Sequence, residues 1–209
     1  MPTLYYIHDP MCSWCWGFQP TWQKLKNKLP SNITIQYLLG GLAVDCDDLM
    51  PLTMQKSIKQ TWVAIRSEIP NTKFNFDFWS DNKPKRSTYP ACRAVIAARK
   101  LNMDLHDKMI ESIQHAYYLH AQNPSNTNVL VELAQKLDLD VNEFEKLILS
   151  SEINMELNKE INLSQKLGAQ GFPSLILETK EDNYFIPINY NDENEILDSV
   201  LHHLNGGHQ

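Results

Sequence analysis

Asp9-Pro10-Met11-Cys12-Ser13-Trp14-Cys15-Trp16-Gly17-Phe18 is the stretch on which the reading of this chain turns. Upstream, Leu4-Tyr5-Tyr6-Ile7 is β-prone and apolar on both faces, which predicts a buried central strand. Asp9-Pro10 ends it. Downstream, Trp16, Trp22, Leu25 and Leu29 recur at roughly helical spacing and predict a helix over residues 13–29 that contains Pro20. Cys12 therefore falls at a helix start, where free N–H groups and the macrodipole stabilise a thiolate. Cys15 lies one turn in and points inward. In this reading Cys12 is the exposed nucleophile that attacks a disulfide, and Cys15 resolves the mixed disulfide.

Other uses of two cysteines at this spacing are weaker. A zinc site needs two more ligands at similar spacing, whereas Cys46 and Cys92 are isolated and no His pair shares a helix face. No metal is expected. Four cysteines in 209 residues are too few for a disulfide scaffold. Cys92, among Ala91, Val95, Ile96 and Ala97, reads as a buried inert thiol, and Cys46 as a loop thiol. Asp9 reads as a turn or cap residue before Pro10, in preference to a buried acid that relays a proton.

Composition narrows the class. A hydrophobic content of 43% supplies a core, and the net charge of −6 without a basic block argues against nucleic acid. No run approaches membrane-spanning length, so no membrane partner is expected. No basic region followed by an apolar core precedes Cys12, which leads to the expectation of a cytoplasmic protein.

The rest of the chain sorts into three parts. A second strand over 33–39 ends at Gly40-Gly41 and completes a βαβ unit. From about residue 50 to about 168 helical spacing dominates, with breaks at Pro70, at an irregular 71–88 and at Asn123-Pro124-Ser125-Asn126. Strands then return at 172–177 and 184–188, followed by a helix over 193–204 and a polar tail that reads as frayed from His202. The expected fold is α/β, a thioredoxin-like βαβ…ββα interrupted by a large all-helical insertion. The expected domains are 1–45 with 168–209, a discontinuous thioredoxin-like domain, and 46–167, a helical subdomain. Pro173, directly before a strand in that plan, is expected to follow a cis peptide bond.

The Cys-X-X-Cys after the first strand, Pro20, Pro173 and the helical block together resemble a thioredoxin fold of the DsbA family. The strings Asp9 to Phe18 and Tyr89-Pro90-Ala91-Cys92-Arg93-Ala94 resemble its cytoplasmic, poorly characterised members. The resemblance implies a thiol–disulfide oxidoreductase with Cys12 as nucleophile and Cys15 as resolving thiol. Pro173 would face them, and Ser13, Trp14 and the Phe172 backbone would meet an extended substrate. Trp14 and Phe172 are expected to be exposed and Phe18 packed. Ser13-Trp14 replaces the Pro-His of periplasmic DsbA, which implies a less oxidising couple, and a reductase or isomerase in a reducing compartment. Partners would be disulfide-containing proteins or peptides, with no bound cofactor and glutathione as a conceivable co-substrate. The protein would be a monomer or homodimer. Two alternatives share the outline. Kappa-class glutathione transferases carry serine where this chain has Cys12, and some DsbA-like proteins are non-enzymatic adaptors that present a regulator to a protease.

Overall fold

The computed structural model describes residues 1–204. Strand β1 (Thr3–His8) lies inside the sheet, as its two apolar faces require. Leu4 and Tyr6 point to one side, and Tyr5 and Ile7 to the other. Helix α1 (Ser13–Lys28) carries the chain back, running through Pro20, so that β2 (Thr34–Leu39) pairs parallel to β1, Thr3 opposite Thr34 and His8 opposite Leu39. β3 (Ser174–Glu178) pairs antiparallel on the other side of β1, and β4 (Asn183–Ile186) pairs antiparallel with β3. The order β2-β1-β3-β4 leaves β2 and β4 as edges. β4 ends before Pro187, which has no N–H to give to a ladder.

Between β2 and β3 run α2 (Leu52–Glu68), the short α3 (Phe78–Asp81), α4 (Tyr89–Leu101), a 3-10 turn (Met103–Leu105), α5 (His106–Tyr118), α6 (Thr127–Lys136), α7 (Val141–Ile148) and α8 (Ser151–Lys166). The chain closes with α9 (Glu193–Leu204), so His202 and His203 continue the helix and are not frayed, while residues 205–209 of the tail lie outside the described residues. The 71–88 stretch is not wholly irregular. Phe74, Phe76 and Phe78 wrap the indole of Trp62, with ring centroids 4.9, 5.5 and 6.1 Å away, and the wrapping is stabilised by a turn of helix at Phe78–Asp81.

Among the described residues, three apolar clusters hold the molecule. One covers the face bearing Leu4 and Tyr6 with Phe18, Trp22 and Leu25 of α1 and Ile196 and Val200 of α9. The opposite face, bearing Tyr5 and Ile7, is covered by Leu163 and Leu167 from α8 and its C-cap. α8 falls in the stretch read as helical insertion, yet its C-terminal end covers the sheet. The third cluster is the helical core, centred on the buried face of α4 (Ala91, Cys92, Ala94 to Ala98) and on Trp62 and Tyr118. Met11 and Leu39 belong to it as well, so the helical layer packs directly on the β1–α1 turn that carries the cysteines. No helix among the described residues is long and apolar enough to cross a membrane.

Candidate active site

The two cysteines sit where β1 hands over to α1. Cys12 is the N-cap residue, with extended backbone, and its carbonyl accepts the Trp16 N–H at 3.0 Å. No side chain caps this end, so the first N–H groups of α1 point at the Cys12 region. Cys15 is fully buried, one turn in. The expectation of an exposed Cys12 needs correction, because only 6% of its surface is open. The reason is the loop before β3. There the Phe172–Pro173 peptide bond is cis, and the Phe172 carbonyl accepts the Cys12 Sγ–H at 3.4 Å. Residues 160 positions apart in sequence thus meet at one sulfur.

That loop reaches the thiol because Gly40 has no side chain. A Cβ on Gly40 would lie 1.9 Å from Cε1 of the Phe172 ring. Phe172 and Trp14 are half-buried, not exposed as the sequence reading has them, and Pro173 is buried. The Trp14 ring leans on Tyr190, with centroids 5.1 Å apart. Phe18 is fully buried, in line with its expected packing. Ser13 is half-buried, and its hydroxyl is tied from below, accepting the Trp62 indole N–H at 2.9 Å. The Met11 carbonyl accepts the Tyr118 hydroxyl at 2.7 Å. Two aromatic residues of the helical layer therefore hold the residues on either side of Cys12, Met11 by its backbone and Ser13 by its side chain.

The largest departure from the sequence reading is Asp9. It does form the expected turn, accepting the Met11 N–H at 2.8 Å. It is also fully buried, and its second oxygen accepts the Leu42 N–H at 2.7 Å, the Thr88 hydroxyl at 2.6 Å and the Cys92 thiol at 3.5 Å. Burial raises the Asp9 carboxyl above its ordinary range, and these donors hold it down against that pull. Burial pushes the Cys15 thiol well up, with the neighbouring Cys12 and the Asp9 charge adding to the rise. Cys92 is pushed well up by its own burial and then by Asp9, so it is held as a neutral thiol donor. Thr88 and Cys92, four apart at the start of α4, are a signal that could have been read, since that spacing puts both on one helix face. Leu42 N–H had no signal, for it depends on Gly41 taking φ +64° to turn the chain.

The geometry brings together Cys12, Cys15, Ser13, Trp14, Phe172 and Pro173, all six residues singled out from the sequence, and adds Asp9, Thr88, Gly40 and Tyr190. Cys46 stays apart, half-buried in a polar loop beside Asp45, Asp47 and Lys85. Among the described residues, no group of three or more His, Cys, Asp or Glu side chains is placed to hold a metal ion.

Comparison with known proteins agrees with this architecture. A provisionally assigned protein disulfide isomerase from Nitrosomonas europaea superposes with a TM-score of 0.84 and 25% identity, covering 98% of each chain. The cytosolic disulfide reductase DsbM from Pseudomonas aeruginosa does so at 0.77 and 21%, covering 97% of this chain and 98% of that one. A curated relative is the ClpXP adapter protein SpxH of Bacillus subtilis, 22% identical over 95% of this chain and 67% of its own length. The SpxH of Halalkalibacterium halodurans is 21% identical, and the match spans only 57% of that protein. The family model described as Thioredoxin matches residues 5–198. With nearly the whole chain matched and DsbA-type folds among its neighbours, the protein belongs to the thioredoxin family and shares the architecture of its DsbA-like members.

Proposed function

We propose that this protein is a thiol–disulfide oxidoreductase that reduces or isomerises disulfides of proteins, peptides or small molecules. The observation that carries the reading is the pairing of an N-cap thiol with a buried, proton-retaining thiol one turn behind it, beneath the Phe172–Pro173 loop. The Cys12 thiolate attacks one sulfur of a substrate disulfide. That S–S bond breaks, the other sulfur leaves as a thiolate, and a mixed disulfide joins Cys12 to the substrate. Cys15 then loses its proton and attacks Cys12 Sγ. The second substrate thiol is released, and two electrons have passed from the Cys12–Cys15 dithiol to the substrate. The proton that Cys15 gives up passes to a departing substrate thiolate.

The Phe172 carbonyl, now holding Cys12 Sγ, is in position to pair with the backbone of an extended substrate, and Trp14 and Pro173 would flank it. Glutathione would serve as co-substrate, two molecules returning the oxidised pair to the dithiol. The Pseudomonas DsbM has been solved with GSH, which supports that choice, and its cytosolic description supports a reducing compartment.

Trapping tests the reading. A Cys15→Ser variant incubated with an oxidised peptide or with oxidised glutathione should accumulate a mixed disulfide at Cys12, and Cys12→Ser should accumulate none. If Cys15→Ser traps nothing with either, the oxidoreductase reading fails. The curated relatives support a second reading, in which the fold presents a regulatory protein to a protease. Partner delivery that survives Cys12→Ser would favour it.

A further inference from the structure

A sheet edge with free backbone groups is a template for another strand unless something blunts it. Of the two edges here, β4 is short and stops before Pro187. The start of β2, Thr34-Ile35-Gln36-Tyr37, holds no proline and no charge, and three of the four residues are strong strand formers. The parallel ladder decides which groups it offers. The Thr34 N–H reaches the Pro2 carbonyl at 3.0 Å and the Gly40 N–H reaches the His8 carbonyl at 2.8 Å. Backbone groups alternate along a strand, so the even-numbered residues of β2 turn theirs toward β1, and Ile35, Tyr37 and Leu39 turn theirs outward. The Leu39 N–H is taken by the Glu160 carboxylate at 2.7 Å. The N–H groups of Ile35 and Tyr37 meet no protein acceptor among the described residues. Both residues are only half-buried, and Thr34 and Gln36 beside them are exposed.

This edge forms the floor of a groove of about 730 Å³. One wall is the 3-10 turn and the start of α5, with Met103, Asp104 and Asp107. The other is α8, with Glu156, Lys159 and Leu163. The rims are open to solvent, since Asp104 and Lys159 are exposed and Met103 is 69% exposed. The walls select the occupant. A second copy pairing edge to edge would bring its own helical layers, α8 against α8 and Asp104 and Asp107 toward their copies, so like charges would meet. A single extended segment carries no such layers. Its alternate side chains would face the two walls. On the α5 side, Lys26 binds Asp107 at 2.7 Å, while no ion pair among the described residues holds Asp104, so that wall keeps an unneutralised carboxylate. Met103 beside it is a flexible apolar surface for the stem of a lysine or arginine. On the α8 side, Glu156 and Glu160 are bound to Arg99 at 2.7 and 2.6 Å, and Leu163 with Leu38 below it is apolar.

We propose that the β2 edge binds an extended segment of a protein partner, which adds a fifth strand to the sheet and turns basic side chains toward Asp104 and Asp107 and apolar ones toward Leu163. The Ile35 and Tyr37 N–H groups donate to the segment, and their carbonyls accept from it. Glu160 holds the Leu39 N–H, so the pairing stops short of the Gly40 turn under Phe172. No residue of the thiol site lines the groove, and no step of the thiol chemistry requires it.

The test uses three end-blocked hexapeptides as probes: KVKVKV, the same peptide N-methylated at every amide, and EVEVEV. In ¹⁵N-labelled protein, KVKVKV should shift the Ile35 and Tyr37 amide resonances in a saturable way and slow their exchange with solvent. N-methylation should weaken binding by about fivefold or more, the loss of at least one hydrogen bond. Asp104→Lys should weaken it by about threefold or more, and the difference should shrink as salt is raised. Ile35→Pro, which removes an outward N–H, should abolish the shift at Tyr37 in protein shown by thermal unfolding to be folded. Should Ile35→Pro not fold, the N-methylated peptide decides the matter. Absence of saturable shifts at Ile35 and Tyr37 with KVKVKV would overturn the proposal. So would equal binding of the N-methylated peptide or of EVEVEV, or a homodimer, seen by sedimentation, that itself protects these two amides.

Discussion

Two buried histidines should make this protein lose stability steeply in mild acid. His8 is held neutral by burial first, then by repulsion from His106 and Arg99, and its pKa is lowered from 6.5 to about 3. His106 is lowered to about 4, again by burial first, with Arg99 and Lys26 adding to the fall and Asp107 opposing it. For such groups the unfolded chain binds more protons than the folded one below pH 6.5. The stability they contribute is therefore complete above that pH and is lost as pH falls toward the folded values. Each group costs about 1.4 kcal/mol per pH unit, so the pair costs about 2.7 kcal/mol per unit between pH 6 and pH 4.5. Fully titrated, His106 accounts for about 3 kcal/mol and His8 for about 5 kcal/mol, against a typical total stability of about 5–15 kcal/mol. Asp9 and Glu160 act the other way, because burial raises both carboxyls and their protonation in acid favours the folded state. Comparison with variants separates the two effects. Urea unfolding of wild type, His8→Phe, His106→Phe and the double variant at half-unit steps from pH 7 to pH 4.5 should show the double variant losing about 2–3 kcal/mol less per pH unit. At pH 7 neither substitution should cost much, since the unpaired nitrogens have no partner to lose. A double variant with the wild-type slope would refute the argument. It would mean that protonated imidazoles are tolerated in the interior, or that acid opens the region first.

Two further outcomes follow from the thiol site. Asp9→Asn turns an acceptor toward Leu42 N–H, Thr88 and Cys92 into a donor or leaves the Met11 N–H unpaired, so urea unfolding at pH 7 should show a loss of about 2–4 kcal/mol; unchanged stability would show that the three donors find other partners. Gly40→Ala drives the Phe172 ring off its seat while the side chain yields, so thermal unfolding should change little and reduction of a peptide disulfide should slow by about tenfold or more; an unchanged rate would remove Phe172 from the substrate surface.

Much of this was legible in local pattern. Two-faced apolarity marked β1 as interior, helical spacing marked α1 and the helices between the sheet halves, and the cysteine spacing with Pro173 marked the thiol site. The strand, the helices and the cysteine spacing are legible because each depends on residues within one or two turns of each other, whereas Pro173 was marked by its place before a strand in the βαβ…ββα plan. The cap of α7 is equally local, since the Asp140 carboxylate accepts the Glu143 N–H three residues on at 3.0 Å. Asp9 shows the limit. Next to Pro10 it looks like a turn residue, and it is one, but its depth comes from α4 and the Gly40-Gly41 turn closing over it.

The sequence by itself determined the order of elements, the central strand, the placing of Cys12 and Cys15 at the head of a helix, and the choice of Ser13, Trp14, Phe172 and Pro173 as their neighbours. Only the tertiary structure decided how far Cys12 is covered, that Asp9 is shared among a turn, a loop and α4, and that His8 and His106 are buried with ring nitrogens that have no partner. The physical reason is one of range. Periodicity records which face of an element is apolar, whereas burial and hydrogen-bond partners depend on what another element, up to 160 positions away, brings to that face.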